Sequence, residues 1–188
     1  MRILIYGSKD FALTVAELVR HCGHQAVGFV DDFDKGQRII GTLEEVTRSH
    51  PRSDFAFALA IGYSNLVERW RAWERLRAAG YAAPALVHPR GYVADSARLG
   101  EGCMVMAGAL VDVRACLGAQ VVLWPGACVN HDASVGDNTF VSPNATICGH
   151  TRVGANCFIG AGSTIADHCE VPAASVLKMQ SKFSGRTT

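Results

Sequence analysis

An aliphatic residue recurs at every sixth position of this chain from Val87 to Val171, without a break. A small residue usually stands two positions before it. The series is Val87, Val93, Leu99, Val105, Val111, Leu117, Leu123, Val129, Val135, Val141, Ile147, Val153, Ile159, Ile165 and Val171. Neither the period of an α-helix nor the alternation of a single strand gives a repeat of six. Short repeats of fixed period are typical of a parallel β-helix, in which neighbouring coils complete one another, and this is the fold that the series predicts.

Three hexads make one triangular coil, so a residue is expected to lie beside the residue eighteen positions later. Adjacent strands are about 4.7–4.9 Å apart, which makes such residues close neighbours. One predicted column contains Arg114, Asp132, His150 and His168, the next contains Val113, His131, Gly149 and Asp167, and a third contains Val122, Phe140 and Phe158. Polar residues therefore gather around Asn130-His131-Asp132, within a coil that is otherwise small and aliphatic.

Composition excludes several classes of function. The chain has 188 residues, a formal net charge of +1, 49% hydrophobic residues and 19% charged residues, which is typical of a soluble protein with a sizeable core. A charge this close to zero gives no reason to expect nucleic acid or an anionic membrane as a partner. No apolar run approaches the roughly 20 residues that span a bilayer, and the start of the chain resembles a buried strand more than a signal peptide. We expect a cytoplasmic protein.

Seven cysteines are scattered along the chain without a C-x-x-C pair, so we expect neither a zinc cage nor any other metal centre. Cys103, Cys157 and Cys169 fall in the small slot of the hexads. A thiol in such a slot is expected to pack as a compact apolar group.

The segment before the hexads has the pattern of a βαβ unit. Residues 2–6 form an apolar strand that ends at Gly7, residues 11–19 have helical spacing, and a second strand runs from Gln25 to Val30. Ligands of open parallel sheets bind at the carboxyl ends of the strands, which here are the Gly7–Phe11 loop and the pair Asp31-Asp32. The acidic pair is suited to accept hydrogen bonds from a ribose or a base. A solvated loop is an equal alternative.

The dinucleotide fingerprint G-x-G-x-x-G is absent from this unit. Gly7 stands alone, because Lys9 and Ala12 occupy the positions of the later glycines. A dinucleotide needs close backbone approach at those glycines, so a nicotinamide-dependent oxidoreductase is not expected.

Three further elements complete the first segment. Thr42–Glu45 has the spacing of a capping box, residues 54–61 form a strand that ends at Gly62, and residues 66–79 form a helix. The apolar stripe of this helix is Leu66, Val67, Trp70, Trp73 and Leu76. We therefore divide the chain into a Rossmann-like domain (1–83), a β-helix (84–176) and a tail (177–188).

The residue types at Asn130-His131-Asp132 favour acid–base chemistry. Histidine is the usual general base, and a neighbouring carboxylate fixes its tautomer. Arg114, one coil away, is placed to keep Asp132 ionised. The alternative is that these polar residues only cover a turn of the coil.

The βαβ segment with G-F-V-D-D at residues 28–32, the I-G strand end at Gly62, the hexad coil and Asn130-His131-Asp132 together resemble one group of bacterial sugar acyltransferases. This group comprises the sialic acid O-acetyltransferase-like and nucleotide-4-amino-sugar N-acetyltransferase enzymes. The resemblance covers residues 1 to about 175. It implies a left-handed β-helix, a homotrimer, acetyl-coenzyme A between neighbouring coils, and a nucleotide sugar held by the N-terminal domain.

The resemblance also implies roles for single residues. His131 matches the catalytic base and Asp132 the acid that orients it. Gly149 matches a position that leaves room for the pantetheine arm and the thioester, and Ala161 a position that lines the cofactor path. Asp31 and Asp32 match a nucleotide-binding acidic pair.

The chain departs from the family pattern at three places. In the loop Gly7-Ser8-Lys9-Asp10-Phe11, Phe11 replaces a histidine, and Lys9 is the residue that would meet a phosphate. Phe140 replaces a second histidine that faces the acetyl carbonyl. In the tail, only Lys182 survives from the G-x-P-A-K motif near the nucleotide end of the coenzyme.

Three functions follow from this reading. The first is transfer of an acyl group, expected to be acetyl, from coenzyme A to the amine of a nucleotide-linked sugar, with His131 as general base. The second is acetylation of a sugar hydroxyl on the same fold. The third is a hexad scaffold that binds a sugar nucleotide without catalysis, which Phe11, Phe140 and the altered tail favour.

Overall fold

The computed structural model describes residues 1–185 and divides into two compact units, one ending at Pro84 and the other starting at Ala85. Among the described residues, no helix is long and apolar enough to cross a membrane. The elements of the first unit are β1 (Arg2–Tyr6), α1 (Asp10–His21), β2 (Gln25–Val30), β3 (Ile39–Gly41), α2 (Leu43–Ser49), β4 (Phe55–Leu59), a 3₁₀ turn (Tyr63–Asn65) and α3 (Leu66–Ala78).

The four strands of this unit form one parallel sheet in the order β3-β2-β1-β4. The predicted βαβ unit is confirmed, whereas β3 was not predicted, because three residues are too few to show a period. Gly7 follows β1 with φ +124°, and a Cβ there would lie 2.6 Å from the carbonyl oxygen of Ala60. Gly7 is therefore required by the backbone packing at this edge of the sheet.

The helix α2 begins where its capping box predicts. The hydroxyl of Thr42 accepts the N–H of Glu45 at 3.3 Å, and the Glu45 carboxylate accepts the N–H of Thr42 at 2.8 Å, which confirms the capping box. In α3, the predicted apolar stripe is right for the buried Trp73 but wrong for Val67, which is 60% exposed. Arg69 is buried instead, and its Nε donates to the carbonyl of Ile61 at 3.0 Å.

The second unit is a parallel β-helix built from two-residue strands. They are β5 (Leu86–Val87), β6 (Tyr92–Val93), β7 (Arg98–Leu99), β8 (Met104–Val105), β9 (Leu110–Val111), β10 (Cys116–Leu117), β11 (Val122–Leu123), β12 (Cys128–Val129), β13 (Ser134–Val135), β14 (Phe140–Val141), β15 (Thr146–Ile147), β16 (Arg152–Val153), β17 (Phe158–Ile159), β18 (Thr164–Ile165), β19 (Glu170–Val171), β20 (Val176–Leu177) and β21 (Lys182–Phe183). Every third strand joins the same sheet, which gives three parallel sheets.

The predicted register of eighteen residues is confirmed. Val122 pairs with Phe140, and Phe140 pairs with Phe158. The aliphatic series forms one core from coil to coil, and the small slots beside it are buried. Cys157 is fully buried there, as predicted, and its thiol donates to the carbonyl of Pro172 at 3.2 Å. Thr151 uses the same slot in the same way, donating to Ala166, so a polar atom in the core finds an acceptor on the next coil.

The β-helix extends beyond Val176, after which the sequence predicted a separate tail. Leu177 and Phe183 continue the six-residue period, and β20 and β21 pair with β17 and β18. Leu177 is 8% exposed and Phe183 packs against the core. Residues 177–183 therefore belong to the last coil, because an aromatic ring fills the slot that aliphatic residues fill elsewhere.

Candidate active site

One corner of the coil carries the predicted column of polar residues. Arg114 lies in the turn between β9 and β10, Asp132 in the next turn of the column, and His150 and His168 in the two after that. All four have φ between +54° and +59°. Side chains other than glycine rarely adopt this left-handed conformation, and aspartate, asparagine and histidine are enriched among those that do. The turn backbone therefore stacks these four residues at one corner.

Asp132 is the centre of this corner. Its carboxylate accepts Nε of Arg114 at 2.7 Å and Nη2 of Arg114 at 2.8 Å, a bidentate pair across two coils. The same Oδ2 atom lies 3.1 Å from Nδ1 of His131. The hydrogen bonds from Arg114, and then the one from His131, hold the pKa of Asp132 well below its usual range. Asp132 is thus a fixed carboxylate in contact with a histidine.

The contact with Asp132 sets the tautomer of His131. A carboxylate accepts a hydrogen bond, so Nδ1 of His131 carries the proton and donates, which leaves the lone pair of Nε2 available. The His131 side chain is 52% exposed, whereas that of Asp132 is 21% exposed. This arrangement leaves the lone pair on Nε2 of a half-exposed ring, and the carboxylate would support the imidazolium if a proton were taken.

Gly149 lies directly against the ring of His131. A Cβ added at Gly149 would meet Cε1 of His131 at 2.7 Å and Nε2 at 2.8 Å. The sequence reading assigned this space to the pantetheine arm of the coenzyme. In the structure the imidazole ring of His131 lies against this position, so the glycine makes room for the ring.

His150 and His168 extend the corner beyond the residues that the sequence reading selected. Nε2 of His150 lies 3.9 Å from Oδ2 of Asp132, and its ring stacks on that of His168 with centroids 4.7 Å apart. A cavity of about 300 Å³ adjoins them, lined by Asp132, His150, Arg152, His168, Cys169 and Glu170. The eighteen-residue column was the signal for these histidines, but only the side-chain geometry shows that His150 reaches Asp132.

Phe140 does not have the exposure that the sequence reading requires of a cofactor-binding residue. Its side chain is 0% exposed, between Val122 and Phe158 of its sheet. A ring buried in this way cannot touch a coenzyme without moving, which argues against the predicted direct contact, and the cofactor role of Phe140 stays a prediction. The remaining two predicted cofactor residues are in the final coils: Ala161 is half-buried with its carbonyl accepting the N–H of Gln180 at 2.8 Å, and Lys182 is exposed in β21.

In the first unit, Asp31 organises its own loop. Its carboxylate accepts the hydroxyl of Ser8 at 2.6 Å and the N–H groups of Phe33 and Asp34 at 2.9 and 3.0 Å. Partial burial opposes ionisation, but these hydrogen bonds outweigh it and lower the pKa of Asp31. The Asp31 carboxylate, which the sequence predicted would accept hydrogen bonds from a nucleotide, therefore accepts most of them from its own loop.

Asp32 is engaged even more fully. It accepts the hydroxyl of Tyr6 at 2.5 Å, Nη1 of Arg75 at 3.2 Å and the N–H of Leu43 at 2.8 Å. Burial and the hydrogen bond to Asp32 raise the pKa of Tyr6, so its hydroxyl remains a donor. Asp32 thus joins β1, α2 and α3, which is a structural role that the sequence did not indicate.

The carboxyl ends of β1 and β2 border a cavity of about 600 Å³, lined by Ser8, Lys9, Phe29, Asp34, Lys35, Gly36, Gln37, Arg38 and Ile39. Lys9 forms an ion pair with Asp34. Lys35 and Arg38 add two cations that the sequence reading passed over, although they directly follow the acidic loop. An anionic ligand is therefore favoured in this cavity over a neutral one.

Of the other residues that the sequence predicted for this site, the exposed Asp10 begins α1, Phe11 is half-buried in its first turn, and Gly62 precedes the 3₁₀ turn.

The chain is similar to solved structures of bacterial acetyltransferases. The acetyltransferase domain of PglB from Neisseria gonorrhoeae FA1090 is 27% identical with a TM-score of 0.90, over 100% of this chain and 93% of that one. The same domain in complex with acetyl coenzyme A is 25% identical with a TM-score of 0.76, over 96% and 97%. No protein-family model matches the chain.

A variant of perosamine N-acetyltransferase from Caulobacter crescentus, in complex with CoA and GDP-perosamine, is 24% identical with a TM-score of 0.78, over 95% of this chain and 93% of that one. At this identity the likeness shows the shared fold. The hexad coil and these likenesses together show the left-handed β-helix fold of the bacterial hexapeptide-repeat sugar acyltransferases, and they support an acetyltransferase.

Proposed function

We propose that this acetyltransferase transfers the acetyl group of acetyl-coenzyme A to the amine of a nucleotide-linked amino sugar, with His131 as general base. The array Arg114–Asp132–His131 carries the proposal, because it fixes a histidine tautomer whose Nε2 lone pair lies on a half-exposed ring. A scaffold without catalysis has no need of such an array.

The chemistry follows from the two nitrogens of His131. The neutral sugar amine attacks the thioester carbonyl, and Nε2 takes the proton that the amine loses. Asp132 holds Nδ1–H and supports the imidazolium. Backbone N–H groups of the coil are the proposed donors to the tetrahedral oxyanion. When the intermediate collapses, the carbon–sulfur bond breaks, and coenzyme A leaves as a thiolate that accepts the proton from His131.

The proposed acceptor site lies in the first unit. Lys9, Lys35 and Arg38 border a cavity large enough for a sugar nucleotide, and a diphosphate needs cations of this kind. The GDP-perosamine complex of a fold relative supports this class of acceptor. Because Asp31 and Asp32 are engaged within the unit, we assign the phosphate contacts to the cations and a supporting role to the acids.

The proposed donor site lies along the coil. Acetyl-coenzyme A is bound by the similar PglB domain, which supports the same donor here. Lys178 and Lys182 are exposed on the final coil, where they are proposed to meet the phosphates of the coenzyme. A homotrimer in the cytoplasm remains the proposed assembly and location.

A direct assay tests the function. Purified protein is incubated with acetyl-coenzyme A and a panel of nucleotide-linked 4-amino and 3-amino sugars, and the products are identified by mass spectrometry. We expect acetylation of at least one amino sugar and none of its hydroxyl counterpart. Acetylation of the hydroxyl sugars alone would replace the N-acetyltransferase with an O-acetyltransferase. Failure of every nucleotide sugar to react, or to raise the melting temperature, would reject the proposal.

A further inference from the structure

Two histidines flank the carboxylate of Asp132. Nδ1 of His131 lies 3.1 Å from Oδ2, and Nε2 of His150 lies 3.9 Å from the same oxygen. One donor atom from each of the three side chains can be chosen so that all lie within 4.8 Å of one another. The two imidazole rings meet edge to face with centroids 5.2 Å apart.

Two imidazole nitrogens and one carboxylate oxygen form a donor set that suits zinc. Zinc bonds to nitrogen and to carboxylate oxygen are about 2.0–2.2 Å, which places the donors of a tetrahedral site roughly 3.3 Å apart. The Asp132–His131 separation already meets that value, and His150 must approach by on the order of 1 Å. The His150 side chain is 47% exposed, so its ring is able to make this movement. Water would supply the fourth ligand.

We propose that His131, Asp132 and His150 bind a zinc ion that inhibits the enzyme. The ion is not a cofactor, since it would occupy the histidine that must take the proton. Coordination through Nδ1 moves the proton of His131 to Nε2, and the lone pair that serves as the base is lost. The binding site stands on the geometry alone, whereas the inhibition rests on the proposed function.

Two further residues, Arg114 and His168, adjoin the three proposed ligands. Arg114 already donates two hydrogen bonds to Asp132, so its cation competes with the metal. His168 stacks on His150, but its Nε2 faces Asp167 at 3.9 Å and not Asp132. Arg114 therefore weakens the site, and His168 lies beside it without being a ligand.

Calorimetric titration of the untagged protein with zinc chloride tests the site. His150→Asn removes one ligand, and His168→Asn is its matched control, since both positions have the left-handed backbone that asparagine tolerates. We expect one zinc ion per chain, binding at least tenfold weaker in His150→Asn, within twofold of wild type in His168→Asn, and several-fold tighter in Arg114→Asn. Magnesium, which prefers oxygen ligands, is expected not to compete. Equal zinc affinity in wild type and His150→Asn, or an equal loss in His168→Asn, would overturn the proposal.

Activity separates the two halves of the inference. Zinc at a few times its dissociation constant is expected to inhibit the wild type, EDTA to restore activity, and His150→Asn to resist inhibition. Zinc that binds at His150 without inhibiting would refute the regulatory half. A chain without acetyl transfer would refute the proposed function, while the titration would still decide the metal site.

Discussion

The imidazole ring of His131 lies over the position that a side chain at Gly149 would occupy, on the next coil of the β-helix. A Cβ there would come within 2.7 Å of Cε1 and 2.8 Å of Nε2. Real contacts are not that short, so any residue other than glycine must displace the ring. The ring of His131 is thus positioned by two residues, Asp132 from its side and Gly149 from beneath.

Gly149→Ala is expected to lower kcat by about 10²-fold, the loss that follows from misplacing a reacting group by about 1 Å. The half-exposed ring is able to turn away, so the melting temperature should change little. The contrasting control is Gly136→Ala, where the new Cβ would meet the backbone N of Ala155 at 2.5 Å. That variant should lose melting temperature first. Normal kcat in Gly149→Ala would contradict the positioning role.

His131→Ala is expected to lower kcat by about 10²–10⁴, the usual range for a lost general base. The side chain is half-exposed, so circular dichroism and the melting temperature should match the wild type. His168→Asn, two coils along the same edge of the helix, serves as the control and should retain its activity. Full activity of His131→Ala would remove this residue from the mechanism.

Asp132→Asn tests orientation against charge. Asparagine keeps the shape and tolerates φ +59°, but its amide no longer holds His131 in one tautomer. We expect kcat to fall by about 10–10²-fold, with the same deficit from about pH 6 to about pH 9, well above the pKa of a carboxylate. A deficit that disappears at one end of this range would contradict the assignment.

The pH dependence of Asp132 follows from the sign of its shift. Its pKa is lowered in the folded protein, because Arg114 and His131 donate to the ionised form. Its contribution to stability is therefore complete above its ordinary value and is lost only as the pH falls through the lowered one. Removing Arg114 raises this pKa toward its ordinary value, but mildly acidic buffer lies above even that value, so Asp132 stays ionised there with or without Arg114. Loss of activity in such buffer should therefore be the same in wild type and Arg114→Asn, apart from a constant factor.

Asp32→Ala is expected to destabilise the first unit by about 1–3 kcal/mol, since the hydroxyl of Tyr6 and the N–H of Leu43 lose their acceptor. Thermal melting should fall by several degrees. Asp34→Ala is the control, because Asp34 pairs with the exposed Lys9 and surface pairs contribute about 0–1 kcal/mol. An unchanged melting temperature together with a raised KM for the sugar nucleotide would make Asp32 a ligand residue instead.

Arg38→Ala is expected to raise the KM for the nucleotide sugar by about tenfold, the value of one charge-assisted hydrogen bond to a phosphate. The KM for acetyl-coenzyme A and kcat should stay near their wild-type values. Arg48→Ala is the matched control, because Arg48 pairs with Glu44 on α2 and is not among the residues that line the cavity. Equal KM values in the two variants would remove the cavity from acceptor binding.

The hexad series by itself determined the coil and its register. Aliphatic side chains at every sixth position can be buried together only if the chain turns at each hexad, and this fixes which residues stack eighteen positions apart. His131, Asp132 and Arg114 were therefore predicted as neighbours. The βαβ unit and the capping box followed equally from local rules.

Only the tertiary structure decided what each side chain does in that register. Residue spacing does not tell whether the space above Gly149 holds a ligand or the ring of His131, nor that Phe140 is fully buried. It does not show that Asp32 is bound to Tyr6 and Arg75, because those residues come from distant parts of the chain. A period specifies which backbones are adjacent, whereas side-chain direction and burial depend on packing that arises only when the elements have assembled.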